Sequence, residues 1–166
     1  KKVEELEDKY EAYQFYLDAV KRDGVPYDLI TKALPTIEGE VNNILSQLVD
    51  FQMLFEMDGK NINNYIVYDD DNVWPLELSS GMERFISSLA IRVALINVSN
   101  LPRSNFLAID EGWGTMDSDN LNSVYSLFQY LKSQFQFTLI VSHIDSMRDA
   151  VDTLLEIKKE KDYSNI

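Results

Sequence analysis

Hydrophobic positions at the start of the chain recur at alternating spacings of three and four residues. These seam positions are Val3, Leu6, Tyr10, Tyr13, Leu17 and Val20. The spacing is that of the a and d positions of a coiled coil, already in phase at the first residue. It predicts the end of a longer coiled coil at residues 1–24; the alternative is one amphipathic helix packed on its own domain. The Asp-Gly-Val-Pro sequence at 23–26 predicts the end of that helix, with the globular part at 25–166.

The period of the hydrophobic pattern changes in the next segment. From Pro35 onward, one apolar helical face is predicted at Ile37, Val41, Ile44, Leu45 and Leu48. Alternation at period two then runs over 51–57 and again over 62–68, with Asp58-Gly59 between the two runs, which predicts a β-hairpin. The acidic turn Asp69-Asp70-Asp71-Asn72 follows. It is interpreted as a solvated hairpin turn, with a cation site as the alternative.

The rest of the chain alternates between helical and strand patterns. The predicted elements are helix 80–98, strand 106–110, helix 118–132, strand 137–142, a short helix 144–150 and strand 153–157. This order predicts an α/β fold with a parallel sheet flanked by helices. In such sheets ligands bind beyond the carboxyl ends of the strands.

Composition narrows the class of protein. A chain of 166 residues with 45% hydrophobic content can form one domain with an appendage. It has no cysteine, which excludes disulfides and thiolate metal sites and fits a cytoplasmic or nuclear protein. No apolar run approaches the ~20 residues of a membrane span, so we expect a soluble, unsecreted protein without membrane partners. The Asn97-Val98-Ser99 sequon falls within a predicted helix and is interpreted as chance.

Two segments carry the main candidate chemistry. Asp110 and Glu111 directly follow an apolar strand, which is typical of a Walker B motif. The first carboxylate would hold Mg²⁺, directly or through water, and the second would orient or deprotonate the attacking water. The sequence 79–83 opens a long helix, where a hydroxyl and unpaired amides suit an anion; the alternative is that Ser79 or Ser80 is an ordinary N-cap.

Two further polar residues follow the strands. Asp117 comes after the loop 112–116 and can both cap a helix and contact a subunit interface. His143 is the chain's one histidine and follows a predicted parallel strand, where an imidazole can hydrogen-bond a terminal phosphate, although a lone histidine is commonly structural. No G-x-x-x-x-G-K-[ST] motif occurs in the sequence. A phosphate-binding P-loop must therefore come from outside these residues.

The order of these features resembles the ABC ATPase family, in which signature motif, Walker B, D-loop and H-loop follow one another. A coiled coil entering just before this half resembles the SMC superfamily. Within it, the stretches 23–27, 33–35 and 38–45 look like those of the Rad-fifty/SbcC repair ATPases where the coiled coil rejoins the head. The resemblance covers nearly the whole chain. Ser80 and Met82 depart from the usual signature residues, a glycine and a glutamate or glutamine.

The resemblance implies the C-terminal half of a P-loop NTPase head that binds ATP and Mg²⁺ and is inactive without the N-terminal half. It implies that two heads sandwich two nucleotides, with a nuclease of the SbcD type and DNA as further partners, in a nucleoid-associated or nuclear setting. The implied site residues are Ser79, Ser80, Gly81 and Glu83 on the opposite head's nucleotide, Asp110 on Mg²⁺, Glu111 and His143 in catalysis, and Asp117 in the D-loop.

Other classes of function remain open on the sequence. An SMC-type chromosome-organising head would share the chemistry and differ in its partner, a kleisin instead of a nuclease. A non-catalytic coiled-coil interaction module would use the same carboxylates to cap helices. A transporter ATPase is disfavoured by the coiled coil. The net charge of -13 would repel phosphate backbones over most of the surface, so any DNA contact is expected largely outside this chain.

Overall fold

The described part of the chain forms helices and three separate sheets. The computed structural model describes residues 2–59, 61–110, 121–160 and 163–165. The elements are α1 (Lys2–Val20), α2 (Val25–Leu45), β1 (Gln52–Asp58), β2 (Asn61–Asp69), β3 (Asn72–Pro75), α3 (Gly81–Val98), β4 (Phe106–Asp110), α4 (Leu121–Gln134), β5 (Phe137–Val141), β6 (Lys158–Glu160) and β7 (Tyr163–Asn165). The sheets are β1-β2-β3, β4-β5 and β6-β7.

Helix α1 carries its seam open to solvent. The six seam residues are between 50% and 69% exposed, and no described residue of α1 is buried. The described part of the chain therefore leaves the seam uncovered, and the coiled-coil assignment of residues 1–24 stays a prediction. At the joint with α2, a Cβ on Gly24 would lie 2.5 Å from the carbonyl oxygen of Ala19 and 2.6 Å from that of Asp18. Glycine at this position lets the two helices meet closely.

Helix α2 begins earlier than the sequence predicted. The predicted start was Pro35, whereas the helix runs from Val25 and contains Pro35 in its interior. Pro26 lies in the first turn, where its missing N–H costs no helical bond. The interior proline removes one bond, but the buried face of α2 offsets that loss. That face consists of Leu34, Val41, Ile44 and Leu45.

The predicted hairpin is confirmed and has a third strand. Strands β1 and β2 pair antiparallel up to Asp58 and Asn61, and Gly59 adopts a φ of +64° in the turn. Strand β3, too short to stand out in the sequence, pairs with β2. Between them, the Oδ1 atom of Asp69 accepts hydrogen bonds from the Asp71 amide at 3.0 Å and the Asn72 side chain at 2.7 Å. The acidic run is thus a turn, and the described residues contain no cluster of potential metal ligands.

Side chains of α2 fasten this helix to the outer edge of β1. The Asn42 amide donates to the Met53 carbonyl at 2.9 Å, and the Met53 amide donates to Asn42 Oδ1 at 2.7 Å. One helical turn away, Glu38 Oε2 accepts from the Phe55 amide at 2.8 Å. Asn42 and Glu38 therefore satisfy backbone groups that a neighbouring strand would otherwise pair.

Helices α2, α3 and α4 meet over one hydrophobic core. Its fully buried members include Ile44, Met53, Ile86 and Leu127. At the end of α3, the Asn97 side chain donates to Glu40 Oε1 at 2.7 Å and is partly buried. The amide nitrogen of the sequon is therefore engaged within the fold. None of the described helices is both long enough and apolar enough to cross a bilayer.

Strands β4 and β5 form a parallel pair with two different faces. One face is half-buried and joins the core through Leu107, Ile109 and Ile140. The opposite face is exposed, and on it the rings of Phe106 and Phe137 stack at 5.5 Å. Parallel sheets are normally covered on both faces, so this pair presents a surface that the described residues leave open.

The C-terminal elements differ from prediction. The short helix predicted at 144–150 is a 3₁₀ helix at Asp145–Ala150. The strand predicted at 153–157 is wrong, because these residues form no strand and Leu154, Leu155 and Ile157 are exposed. Apolar alternation is not sufficient for a strand without a neighbouring backbone to pair with. Within the described sheets β5 pairs with β4, and β6 pairs with β7.

Candidate nucleotide-binding site

The start of α3 forms a complete capping box. Ser80 is the N-cap residue, and its hydroxyl accepts a hydrogen bond from the Glu83 amide at 3.3 Å. In return, Glu83 Oε2 accepts from the Ser80 amide at 2.6 Å. This arrangement satisfies two of the amides that a helix start leaves without helical partners. The box leaves the amides of Gly81 and Met82 as the donors of the first turn for an outside acceptor.

A tyrosine from the hairpin joins this box. Tyr68, near the end of β2, donates its hydroxyl hydrogen to Glu83 Oε1. Burial, then the hydrogen bond to Glu83, raises the pKa of Tyr68 to about 12, so its phenol stays protonated. Burial raises the pKa of Glu83, but the hydrogen bonds from Tyr68 and Ser80 outweigh burial and hold this pKa below its ordinary value. No pattern in the sequence pointed to Tyr68 as a member of the site.

The serine before the N-cap is engaged with the preceding turn. Ser79 Oγ donates to the Leu76 carbonyl at 2.7 Å and is partly buried. The structure thus places both serines of the predicted signature in local hydrogen bonds, Ser80 as the N-cap that was the alternative interpretation. A phosphate contact of Ser79 through its hydroxyl hydrogen would require this hydroxyl to turn away from Leu76.

The parallel pair brings two other predicted residues to one end of a sheet. Asp110 is the last residue of β4 and lies beside Val141, the last residue of β5. Ser142 and His143 follow directly, and the Ser142 hydroxyl accepts from the Ile144 amide at 3.1 Å. Asp110 and His143 are both exposed. Glu111 and Asp117 lie outside the described residues, and their roles stay predictions.

The hydrogen-bonded Glu83 carboxylate predicts a pH-dependent stability. Because its folded pKa is depressed, its contribution is present above the ordinary value of 4.5 and is lost as the pH falls through the lower folded pKa. Glu83→Gln should lower the melting temperature at neutral pH, by the equivalent of about 0.5–1 kcal/mol, and should match wild type in strong acid.

Thermal unfolding across the acidic range measures this difference. Glu77→Gln is the matched control, because Glu77 lies in the 3₁₀ turn Leu76–Leu78 before α3 and is exposed. A Glu83→Gln difference that stays constant from neutral pH to strong acid would contradict the assignment.

Comparisons with known proteins relate this chain to SbcC subunits and to an uncharacterized viral protein. No protein-family model matches the chain. A mimivirus protein (Acanthamoeba polyphaga mimivirus), described as uncharacterized protein R555, is 36% identical over 93% of the chain. The SbcC subunit of the nuclease SbcCD from Bacillus subtilis is 25% identical over 89% of the chain, and that from Deinococcus radiodurans is 30% identical over 61%. The chain spans 13%, 14% and 12% of the lengths of these three relatives.

Solved structures agree on the fold. One solved chain comes from work on ATP-driven dimerization and DNA-stimulated activation of SMC ATPases. It superimposes on this chain with a TM-score of 0.67 at 15% identity, and the match covers 83% of this chain and 86% of that one. The chain matches the C-terminal half of an SMC-like, SbcC-type ATPase head. A second solved structure is an Smc head from Pyrococcus yayanosii with a coiled coil and joint. It matches at a TM-score of 0.63 and 17% identity, over 98% of this chain and 32% of that one.

Proposed function

We propose that this head segment is the C-terminal half of an ATP-driven head that acts in the repair of DNA double-strand breaks. The observation that carries the proposal is the β4–β5 pair. Asp110 and the strand leading into His143 lie at one end of this parallel pair, and the described residues leave its apolar second face open. This is half of a nucleotide-binding domain, and an N-terminal half with a P-loop would cover that face. The similarity to the SbcC subunit of the SbcCD nuclease supports the assignment to repair.

The residues at the sheet end suit ATP hydrolysis with Mg²⁺. The exposed Asp110 carboxylate offers the oxygen ligand that Mg²⁺ prefers, and such ions are commonly held by one or two carboxylates together with substrate phosphates. When bound, Mg²⁺ supplies positive charge that offsets the phosphates. Glu111, the next residue, would orient the attacking water and accept its proton. His143 would donate a hydrogen bond to the terminal phosphate.

The start of α3 would meet the nucleotide of a second head. In this proposal, the Gly81 and Met82 amides approach a terminal phosphate held by the opposite P-loop, as helix starts do with anions. Ser79, Ser80 and Glu83 shape that first turn, and Asp117 would connect the two sites. ATP would then hold two heads together, and hydrolysis would release them.

The proposed partners follow from the charge and from the open α1 seam. The N-terminal half would supply the second helix of the coiled coil, paired with α1. A nuclease of the SbcD type would bind near the base of this coiled coil. DNA would be handled by the whole complex, because the net charge of -13 disfavours direct contact with this segment. The proposed location is the nucleoid or the nucleus.

A second candidate is an SMC-type chromosome-organising head. The fold matches to SMC heads favour it, and one such head is bound to the C-winged helix domain of ScpA, with a TM-score of 0.63 at 18% identity. The two candidates differ in the partner at the coiled-coil base. Co-purification of the natural protein with a nuclease supports repair, whereas a ScpA-like partner supports chromosome organisation.

The proposed ATPase is tested by mixing this chain with the N-terminal half of its head. We expect ATP hydrolysis in the mixture and in neither half alone. Glu111→Gln should stop turnover and accumulate an ATP-bound two-head complex, measured by mass in solution. A mixture that neither binds ATP nor responds to Glu111→Gln would replace the proposal with the non-catalytic interaction module.

A further inference from the structure

Tyr68 connects two separate parts of the head. It is the penultimate residue of β2, and its ring lies 5.7 Å from that of Phe51 at a tilt of 60°. Its hydroxyl donates to Glu83 in the first turn of α3. The antiparallel sheet is thus joined by a side-chain hydrogen bond to the turn that carries the Gly81 and Met82 amides. Ser80 marks the other end of this link, because its amide donates to the second oxygen of the same carboxylate.

We propose that Tyr68 is a positioning residue for ATP-dependent head engagement: through the Glu83 carboxylate, it holds the first turn of α3 in the orientation that meets the phosphate of the opposite head. The inference rests on the proposed function and deepens it. A carboxylate fixed at both oxygens has one rotamer, and its partner amide at Ser80 is fixed with it. The amides of Gly81 and Met82, which the capping box does not use, then keep constant directions.

Charge at this place gives Tyr68 a second effect. Glu83 is ionised next to a helix start that would receive an anion, and Asp50 lines the same open cavity of about 480 Å³. Two carboxylates would weaken the attraction of the helix start for phosphate. The hydroxyl hydrogen of Tyr68 points at Glu83 and offsets part of that negative charge. The phenol can do so at every physiological pH, because its pKa is about 12.

One residue of this arrangement, Ser80, departs from the signature that the sequence resembles. The signature that the sequence resembles usually has a glycine at the position of Ser80. A serine can close a capping box with Glu83, whereas a glycine has no hydroxyl to accept the hydrogen bond. The chain therefore holds its first turn with side chains. Ser80 and Glu83 belong to the start of α3, whereas Tyr68 comes from β2.

The test is Tyr68→Phe in the complete head, this chain assembled with its N-terminal half. The phenylalanine keeps the ring and its contact with Phe51 and removes the hydroxyl. We expect the Kd for ATP-dependent association of two heads to rise about fivefold, since a partly exposed hydrogen bond to a charged group is lost. The ATP affinity of a single head should stay close to wild type, and its melting temperature should fall no further than that of Glu83→Gln. Association is measured by analytical ultracentrifugation in the Glu111→Gln background, which preserves bound ATP.

Tyr65→Phe is the matched control, because Tyr65 lies on the same strand and points to the opposite face of the sheet. A double mutant with Glu83→Gln should associate about as weakly as the worse single mutant, since Tyr68 acts through Glu83. If wild type engages with ATP and Tyr68→Phe engages equally well, this inference alone is overturned. The inference is also overturned if the Tyr68→Phe head engages less only to the extent that its melting temperature is lower. If wild type does not engage with ATP, the proposed function falls and this inference with it.

Discussion

Leu139→Asp is expected to abolish assembly of the head while leaving this chain folded. Leu139 lies at the middle of β5, beside Ala108 of β4, on the face that the described residues leave open. It is already 42% exposed, so an aspartate there changes the free energy of unfolding of this chain by about 1 kcal/mol or less. In the assembled head the same side chain would be covered by the N-terminal half. Burying an unpaired carboxylate costs several kcal/mol, which lowers affinity by more than about 100-fold.

Co-purification of the two halves measures their assembly, and circular dichroism of this chain alone shows whether it stays folded. The matched control is Leu101→Asp, the same change at a loop residue that is 77% exposed and lies outside the β4–β5 pair. This control should assemble as wild type does. Retained assembly of Leu139→Asp would mean that the open face is not the junction between the halves.

The elements predicted well are those whose periodic pattern and packing agree. Helix α3 and strands β4 and β5 lie within a residue of their predicted bounds, because apolar residues there recur at one clear period and are bounded by polar residues. Helix α2 was predicted to start ten residues late, at Pro35, because a proline is a strong local signal for a helix start. The helix in fact begins at Val25, and its residues before Leu34 are mostly exposed, so burial accounts only for the part from Leu34 onward.

The site shows the same division between local and distant contacts. Ser80 and Glu83 stand at the S-x-x-E spacing of a capping box, so their mutual hydrogen bonds were within reach of the sequence. The hydrogen bond from Tyr68 was not, because the two partners are 15 positions apart and meet through the fold of the hairpin onto α3. The strand predicted at 153–157 failed for a related reason. A strand depends on a neighbour, and alternation within one segment does not supply it.

Asn42→Ala is expected to destabilise the chain by about 2–4 kcal/mol. The Asn42 amide group bonds both the amide and the carbonyl of Met53, and the Met53 side chain is only 2% exposed. Alanine removes both bonds and leaves two backbone groups without protein partners at a largely buried edge, at a cost of about 1–3 kcal/mol each. Urea unfolding followed by circular dichroism gives the free energy of unfolding directly.

Asn43→Ala is the matched control for this prediction. Asn43 is the next residue of the same helix, is exposed, and should change stability by about 0.5 kcal/mol or less. Asn42→Asp separates the two bonds, because a carboxylate keeps the acceptor for the Met53 amide and sets a second oxygen against the Met53 carbonyl. It should be at least as unstable as Asn42→Ala at neutral pH. Equal stability of the Asn42 and Asn43 variants would show that water replaces the bonds at no cost. A large loss at Asn42 alone would show that this side chain holds α2, the helix that follows α1, to the sheet.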